Sequence, residues 1–376
     1  MRVLLVSSLY PPVLGGAEVQ AQNLARQLDA LGVRVSVLTR PHQGAEVYER
    51  DCGIQVHRRL RALPVGPLWG VTYMLSTRKW LHRLQSEWDV IHNQQVALHS
   101  WVSVRAARAL NRPCLLRFAS LGAGGDLATL SRHRFGQRLV SELRGAGRFV
   151  ALTGAGAEEV QRHGMPAERV RTIPNGVDLQ RFAPQPWPQL QGGEAVRLLY
   201  VGRLSREKGL DVLLEALRLI KERARFQVRI VGAGAELESL RAQSRAAALD
   251  ADVEFCGPQR DVLAHYAWSE VVVLPSHFEG MPNVVLEAMA CARPVLGTRV
   301  NGTADLVTPE SGWLVPSDDP AALARQLGEI VAQRTALAAF GLAGRRISET
   351  TYSMAQVASR YLYEYETMLA EHAAAS

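Results

Sequence analysis

The 376-residue chain is 47% hydrophobic and 21% charged, which excludes a disordered protein and suffices for two globular domains. Its 43 basic and 36 acidic residues leave a net charge of +7 and a pI near 9.5, suited to an acidic ligand or an anionic membrane surface. The charge reads as dispersed, with no lysine-rich run and no alternation of basic with aromatic residues, so nucleic acid is not an expected partner.

Residues 1–8 already form a strand pattern without a charged leader, and no apolar run reaches the roughly 18 residues of a membrane span. Cys52, Cys114, Cys256 and Cys291 are far apart and form no CxxC, which fits reduced thiols better than disulfides or zinc. A cytoplasmic protein is expected, with peripheral membrane contact only. RVLLVSS, VRVSVLT, DVIHN, CLLRFA and RFVALT then read as strands, separated by helical patterns such as AEVQAQNLARQLDALG, where Val19, Leu24, Leu28 and Leu31 recur at near-helical spacing. This βαβ pattern pauses over 175–195, where Pro184, Pro186, Pro188 and Gly192-Gly193 read as a linker, and restarts with VRLLYVG, FQVRIVG, DVEFCG, VVVLPS and PVLGT. The expectation is two tandem doubly wound α/β domains, 1–184 and 196–351. A last amphipathic helix, about 352–373, is expected to return to the first domain, and the segment 184–188 to act as a hinge.

In open parallel sheets ligands bind beyond the carboxyl ends of the strands, so the loops there carry the functional expectation. After the first strand, Gly15 and Gly16 open a helix toward an anion, although an ordinary Gly-rich turn explains them as well. After the first strand of the second domain, GRLSREKG puts Arg203 and Lys208 on one short loop before Gly209. A guanidinium and an ammonium converging there suit a diphosphate; a solvated basic loop is the alternative. In VGAGAEL, Gly232 and Gly234 suggest close backbone approach to a ligand, whereas Leu237 stands where a dinucleotide fingerprint needs glycine.

The stretch FEGMPNVVLEAM places Glu279 on a loop and Glu287 in the second turn of a helix that starts near Asn283, after Pro282. Between the carboxylates, Gly280 and the amides of Met281, Asn283 and Val284 present positive partial charge at a helix start, a place for phosphate oxygens. Two carboxylates flanking a diphosphate can accept hydrogen bonds from sugar hydroxyls on both sides, which describes a nucleotide sugar. Asp250-Ala251-Asp252 matches a metal-binding DxD, but it precedes its strand and so lies at the wrong end of the sheet. No HExxH, Walker loop or GxSxG is present.

Taken in order, the GGAE loop, IPNGVDLQRF, GRLSREKG, VGAGAEL and FEGMPNVVLEAMACARPV with its E-x7-E spacing make the chain resemble the family-4 retaining glycosyltransferases of the GT-B fold, over nearly its whole length. The resemblance implies two Rossmann-like domains with a cleft between them. It implies that Arg203 and Lys208 hold the donor diphosphate, that Glu287 meets the ribose and that Glu279 meets the transferred sugar. Gly16 and the segment from Met281 through Pro282 and Asn283 to Val284 would line the phosphates. It further implies transfer without a metal or other cofactor, from a nucleoside-diphosphate sugar, UDP-linked by preference, to an acceptor hydroxyl in cell-surface glycan or glycolipid synthesis. In that scheme the departing diphosphate helps take the acceptor proton.

The sequence departs from the family where CLLRFASLGAGGD carries Arg117, Ala119 and Ser120 in place of a common histidine, and where Asn301 and Asp305 replace glycine and glutamate. Asp126 could supply a sugar contact or face solvent, and His92 could face the cleft or be structural. A nucleotide-sugar epimerase of the same architecture and a non-catalytic nucleotide-sugar binder remain alternatives. The first would need further acid and base groups; the second has no need to keep both Glu279 and Lys208. A lipid-linked glycan on an anionic membrane is the favoured acceptor, with a soluble one still open.

Overall fold

The computed structural model describes residues 1–13, 15–42, 45–66, 68–120, 122, 125–133, 135–188 and 195–375. The chain divides into two compact units, Met1–Gly176 with Met354–Ser376, and Val177–Ser353.

The first unit is built on eight strands: β1 (Arg2–Val6), β2 (Arg34–Thr39), β3 (Tyr48–Asp51), β4 (Ile54–Arg58), β5 (Val90–Asn93), β6 (Cys114–Arg117), β7 (Arg148–Ala151) and β8 (Val170–Thr172). Their order is β3-β4-β2-β1-β5-β6-β7-β8, all parallel except β3 against β4. Strand alternation sends Val3, Leu5, Val37, Val90, Leu115 and Val150 to one face and Leu4, Val6, Leu38, Ile91, Leu116 and Phe149 to the other. Both sets are buried, as a parallel sheet covered on two sides requires. The first face is closed by the helix Gly16–Ala30, through Ala21, Leu24 and Leu28, and by the C-terminal helix Met354–Ala375, through Val357, Tyr361, Tyr365 and Met368. Arg148 on β7 fastens that last helix, pairing with Glu364 at 2.7 Å and Glu371 at 2.6 Å.

The second unit holds β9 (Val196–Val201), β10 (Phe226–Val231), β11 (Val253–Gly257), β12 (Val271–Leu274), β13 (Val295–Thr298) and β14 (Gly312–Val315), in the order β11-β10-β9-β12-β13-β14, all parallel.

Several local expectations are corrected. Residues 177–184, assigned from sequence to the first domain, belong to the second unit: Val177 bridges to Ser353, and the Phe182 ring packs on Tyr266. The segment 184–188 is not a free tether either. The buried Arg293 guanidinium donates to the carbonyls of Gln185 at 3.1 Å and Pro186 at 2.6 Å and lies over the Trp187 ring. Gly192 and Gly193 fall outside the described residues. Leu31 caps its helix and is 44% exposed instead of lying on the buried stripe. Strands β3, β4, β8 and β14 had no counterpart in the sequence analysis. Asp250 and Asp252 lie just before β11, at the amino end of the sheet.

Two fully buried histidines should make the first unit sensitive to acid. His92 on β5 is fully buried, with Nδ1 2.6 Å from the Tyr365 hydroxyl, and burial, reinforced by Arg117, holds its pKa well below the usual value. His99, 3.2 Å from the Tyr73 hydroxyl, is pushed down by burial to about 4. Each binds a proton in the unfolded chain below about 6.5 but not in the folded one. Stability is therefore full above that pH and falls below it, by at most about 1.4 kcal/mol per pH unit for each histidine. Hydrogen exchange of β5 and the helix Leu98–Ala109, corrected for intrinsic rates, should show this loss between pH 6.5 and 5. His99→Gln should reduce the slope by one proton; an unchanged slope contradicts the assignment.

Candidate functional site

In the second sheet the chain runs from β9 outward through β10 to β11, then crosses back to place β12 on the other side of β9. The loops after β9 and β12 leave the sheet at this reversal of strand order, where a crevice for ligands opens in such folds. Lys208 stands on the first loop and Glu279 on the second.

Lys208 ends a single 3-10 turn, Arg206–Lys208, and Gly209 follows with φ +62°. A Cβ at Gly209 would lie 2.1 Å from the Pro275 carbonyl oxygen, so the two loops meet backbone to backbone only because this residue has no side chain. That approach brings Lys208 Nζ to 2.7 Å from Glu279 Oε1, with the two side chains 16% and 8% exposed. Ser276 Oγ donates to the same carboxylate oxygen at 2.7 Å, and the Ser276 carbonyl accepts from Thr298 Oγ1 at 2.5 Å. The result is a shielded, charge-assisted contact, held from behind by hydroxyl donors.

Pro282 caps the helix Asn283–Ala290 with φ −74° and ψ 117°, so the helix starts where the proline predicts. Met281 and Pro282 are buried, while Asn283 and Val284 remain half-buried at the helix start. Glu287, in the second turn, accepts a 2.9 Å hydrogen bond from the hydroxyl of the fully buried Tyr266. Burial pushes the Glu287 carboxyl up to about 7, against the opposing effect of that bond. The two glutamates thus sit in different surroundings: one faces an ammonium and a serine, the other a phenol.

Other expected residues are placed differently. The Arg203 guanidinium is 77% exposed and pairs with Glu207 at 3.3 Å, while its carbonyl accepts from the Tyr200 hydroxyl at 2.7 Å. Arg203 thus turns to Glu207 on its own loop, while Lys208 turns to Glu279 on the next. Gly232 and Gly234 were expected to admit a ligand, but their missing side chains are accounted for by loop contact. A Cβ would lie 1.8 Å from the Gly202 carbonyl oxygen at Gly232 and 2.1 Å from that of Leu204 at Gly234. The Leu204 amide donates to the Ala233 carbonyl at 2.9 Å, and its own carbonyl accepts from Glu236. The Gly280 carbonyl oxygen in turn fills the Cβ space of Gly302, whose φ is +78°. Asp305 accepts from the Gly302 amide at 3.1 Å, so it serves to shape this neighbouring loop.

In the first unit, Gly15 caps the helix Gly16–Ala30 in extended backbone, and the helix's own Glu18 carboxylate occupies its Cβ space. Arg117 is buried at the end of β6, donating to the Gln94 carbonyl at 2.9 Å and to Asn175 Oδ1 at 2.5 Å. Asp126 does not face solvent. It accepts from the Ala119 amide and Ser120 hydroxyl at 2.9 Å and from the Val96 amide at 3.2 Å, tying together the loops after β5 and β6. Burial raises its pKa in spite of these three donors. Among the described residues no group of three His, Cys, Asp or Glu side chains is arranged to hold a metal ion.

Ser276, Tyr266 and Gly302 went unnoticed in the sequence. Ser276 lies three residues before Glu279 and could have been suspected as its partner. Tyr266 is 21 residues from Glu287 and meets it only through the packing of the helix Leu263–Trp268.

Comparison with known proteins accords with this geometry. Residues 14–181 match the model of Glycosyltransferase Family 4, and residues 195–333 that of Glycosyl transferases group 1. The chain is 30% identical over 404 residues to a D-inositol 3-phosphate glycosyltransferase of Geodermatophilus obscurus, covering 96% of this chain and 87% of the relative. It is 31% identical over 221 residues to the amylovoran biosynthesis glycosyltransferase AmsK of Erwinia amylovora, covering 55% and 53% of the two chains. Among solved structures, sucrose-phosphate synthase from Thermosynechococcus elongatus superposes with a TM-score of 0.83 at 23% identity, over 99% of this chain and 100% of the other. Anabaena HepE in complex with UDP-glucose does so with a TM-score of 0.75 at 18% identity, over the whole of both. These likenesses show the GT-B fold. The chain belongs to the family-4, group 1 glycosyltransferases.

Proposed function

We propose that this glycosyltransferase moves a sugar from a nucleoside-diphosphate sugar, UDP-linked by preference, to an acceptor hydroxyl with retention at the anomeric carbon, without a metal ion, in cell-surface glycan or glycolipid synthesis. The observation that carries the reading is the Lys208–Glu279 contact at the strand-order reversal, 2.7 Å across, beside the start of the helix that bears Glu287. In this reading Lys208 meets the donor diphosphate, together with the helix start. Arg203 swings in from its exposed position to join it when donor is present. Glu279 accepts from hydroxyls of the transferred sugar, and Glu287 from the ribose. The protein's task is to hold the donor and stabilise the charge of the leaving diphosphate, which itself receives the acceptor proton. The structures of HepE with UDP and with UDP-glucose support the choice of base. The acceptor is proposed to be a lipid-linked glycan at an anionic membrane.

A thermal-shift panel of UDP, GDP, ADP and CMP tests the nucleotide. A ligand at about a hundred times its Kd stabilises by roughly 2.7 kcal/mol, and UDP should give the largest shift, with EDTA present throughout. Transfer should proceed equally in EDTA; activity that EDTA abolishes and manganese restores contradicts the metal-free reading.

The two glutamates should separate by substitution. A ribose contact is the same in nucleotide, donor and transition state, so Glu287→Gln should weaken UDP and UDP-sugar alike, by about 1–2 kcal/mol. A contact to the transferred sugar is missing from free UDP. Glu279→Gln should therefore bind UDP nearly normally but lower kcat by roughly thirty-fold or more.

The pH dependence has a definite sign. Ribose hydroxyls donate to the carboxylate, and the free protein protonates Glu287 below about 7. UDP-sugar affinity should therefore fall as pH drops below 7, by at most about tenfold per unit. Calorimetry across pH 5.5–8 checks this: Glu287→Gln should flatten the curve, and equal loss of free UDP in both variants contradicts the division of roles.

A further inference from the structure

The net charge is not dispersed along the fold. Residues 52–125 carry ten Lys and Arg against two carboxylates, Glu87 and Asp89, a net +8 where the whole chain has +7. Of the ten, Arg58 is buried against Glu49 and Arg117 is buried at the end of β6, while both acids are engaged, Glu87 with His57 at 3.3 Å and Asp89 with Arg2 at 2.5 Å. The same segment exposes apolar surface. Of thirteen large hydrophobic residues that stand exposed among the described residues, five lie within thirteen positions: Leu63, Val65, Leu68, Val71 and Leu75.

The helix Leu68–Arg83 arranges these features along one edge. Tyr73, Thr77 and Leu81 turn into the core, while Leu68, Val71, Leu75, Arg78, Lys79 and His82 recur at helical spacing on the exposed side. Its first two turns therefore present an apolar stripe and its last two a basic one. Between this helix and Leu98–Ala109 runs a groove of about 810 Å³, floored by Met74, Trp101, Val102 and Ala106 and rimmed by Arg78, Lys79, His82 and Arg105. Arg59 and Arg83 lie over the Trp80 ring at 5.1 and 5.2 Å, and Arg105 lies over Trp101 at 5.0 Å, so cationic heads sit on amphipathic rings at the surface. Glu142 is the carboxylate that enters this neighbourhood; it is taken up by Arg105 at 3.0 Å and the Trp101 Nε1–H at 2.9 Å.

We infer that this edge of the first unit docks on an anionic phospholipid bilayer. The stripe Leu63–Leu75 enters the boundary between headgroups and acyl chains, and Arg78, Lys79, His82 and Arg105 meet lipid phosphates. An apolar stripe alone would equally suit a second copy of the chain, but self-association here would set the exposed basic residues Arg78, Lys79 and His82 of one copy against those of another. A neutral protein partner would leave Arg78 and Lys79 without counter-charge. An amphipathic helix whose charged residues are all basic and whose apolar stripe is exposed has its complement in a negatively charged lipid interface. The inference extends the membrane side of the proposed function and is independent of the donor chemistry. No helix among the described residues is long and apolar enough to cross a membrane, so the contact is peripheral in kind.

Co-sedimentation of the full chain with vesicles of phosphatidylcholine alone, or of phosphatidylcholine mixed with phosphatidylglycerol, tests the inference directly. Binding to the anionic vesicles is expected, with little binding to the neutral ones and a decline as salt rises over the Debye-screening range. Arg78→Glu with Lys79→Glu should lower the partition coefficient at least roughly tenfold. Leu75→Asp should lower it as well, at an exposed position where the fold should tolerate the change. A thermal shift with UDP on each variant reports that the chain is folded and tests the donor reading on the same samples. Vesicle binding without any nucleotide response would overturn the donor reading and leave this inference standing. Equal binding to both vesicle types, binding unchanged in the variants, or a dimer abolished by Leu75→Asp with no vesicle binding would overturn the inference.

Discussion

The candidate site depends on one shielded ion pair at the strand-order reversal. Lys208 and Glu279 meet at 2.7 Å from loops that follow adjacent strands, β9 and β12, and neither side chain is more than 16% exposed. Removing two charges from water costs several kcal/mol per ion, and their attraction offsets this only when geometry is good and remaining hydrogen-bonding capacity is used. Ser276 uses it on the carboxylate side. Gly209 permits the approach, because any side chain there would strike the Pro275 carbonyl. The strand order supplies the rest, since only the crossover from β11 back to β12 makes these two loops neighbours. A pair that costs desolvation is poor evidence for stability, and this one sits at the strand-order reversal, where ligands bind in such sheets.

The two glutamates of one motif stand in different environments, as the proposed division of roles between sugar and ribose requires. Glu279 is presented to a cation, where added hydroxyl donors would compete for a carboxylate already charge-matched. Glu287 lies beside Tyr266, where burial raises it to about 7, so hydroxyls arriving in the proposed ribose contact would favour its ionisation. In the proposed reaction the first arrangement supplies charge where it develops, and the second makes donor binding depend on proton release.

Much of the fold was legible because apolar runs with strand and helix periods point to one architecture. VRLLYVG and VVVLPS became β9 and β12, and Pro282 marked the start of the helix that carries Glu287. What was not legible depends on contacts between distant segments. YERD and IQVHR pair as β3 and β4 although their alternation is weak and charged. Gly232 and Gly234 look the same in sequence whether a ligand or the Gly202 and Leu204 carbonyls lie over them. The proline-rich segment reads as a tether until Arg293, over a hundred residues later, is seen to hold its carbonyls. The basic character of residues 52–125 is invisible in the chain's total charge, because acids elsewhere cancel it.

The central claim is that Lys208 and Glu279 act as one unit on the donor. A double-mutant cycle in kcat/KM tests it most directly, with Lys208→Ala, Glu279→Gln and the combined variant, each checked for folding. Losing one partner of a shielded charge pair costs roughly 2 to 5 kcal/mol, or about thirty-fold or more in rate. The account predicts that each single variant falls by at least this much and that the double variant is little worse than Lys208→Ala alone. Losses that simply multiply, or a folded Lys208→Ala protein with an unchanged rate, would contradict it.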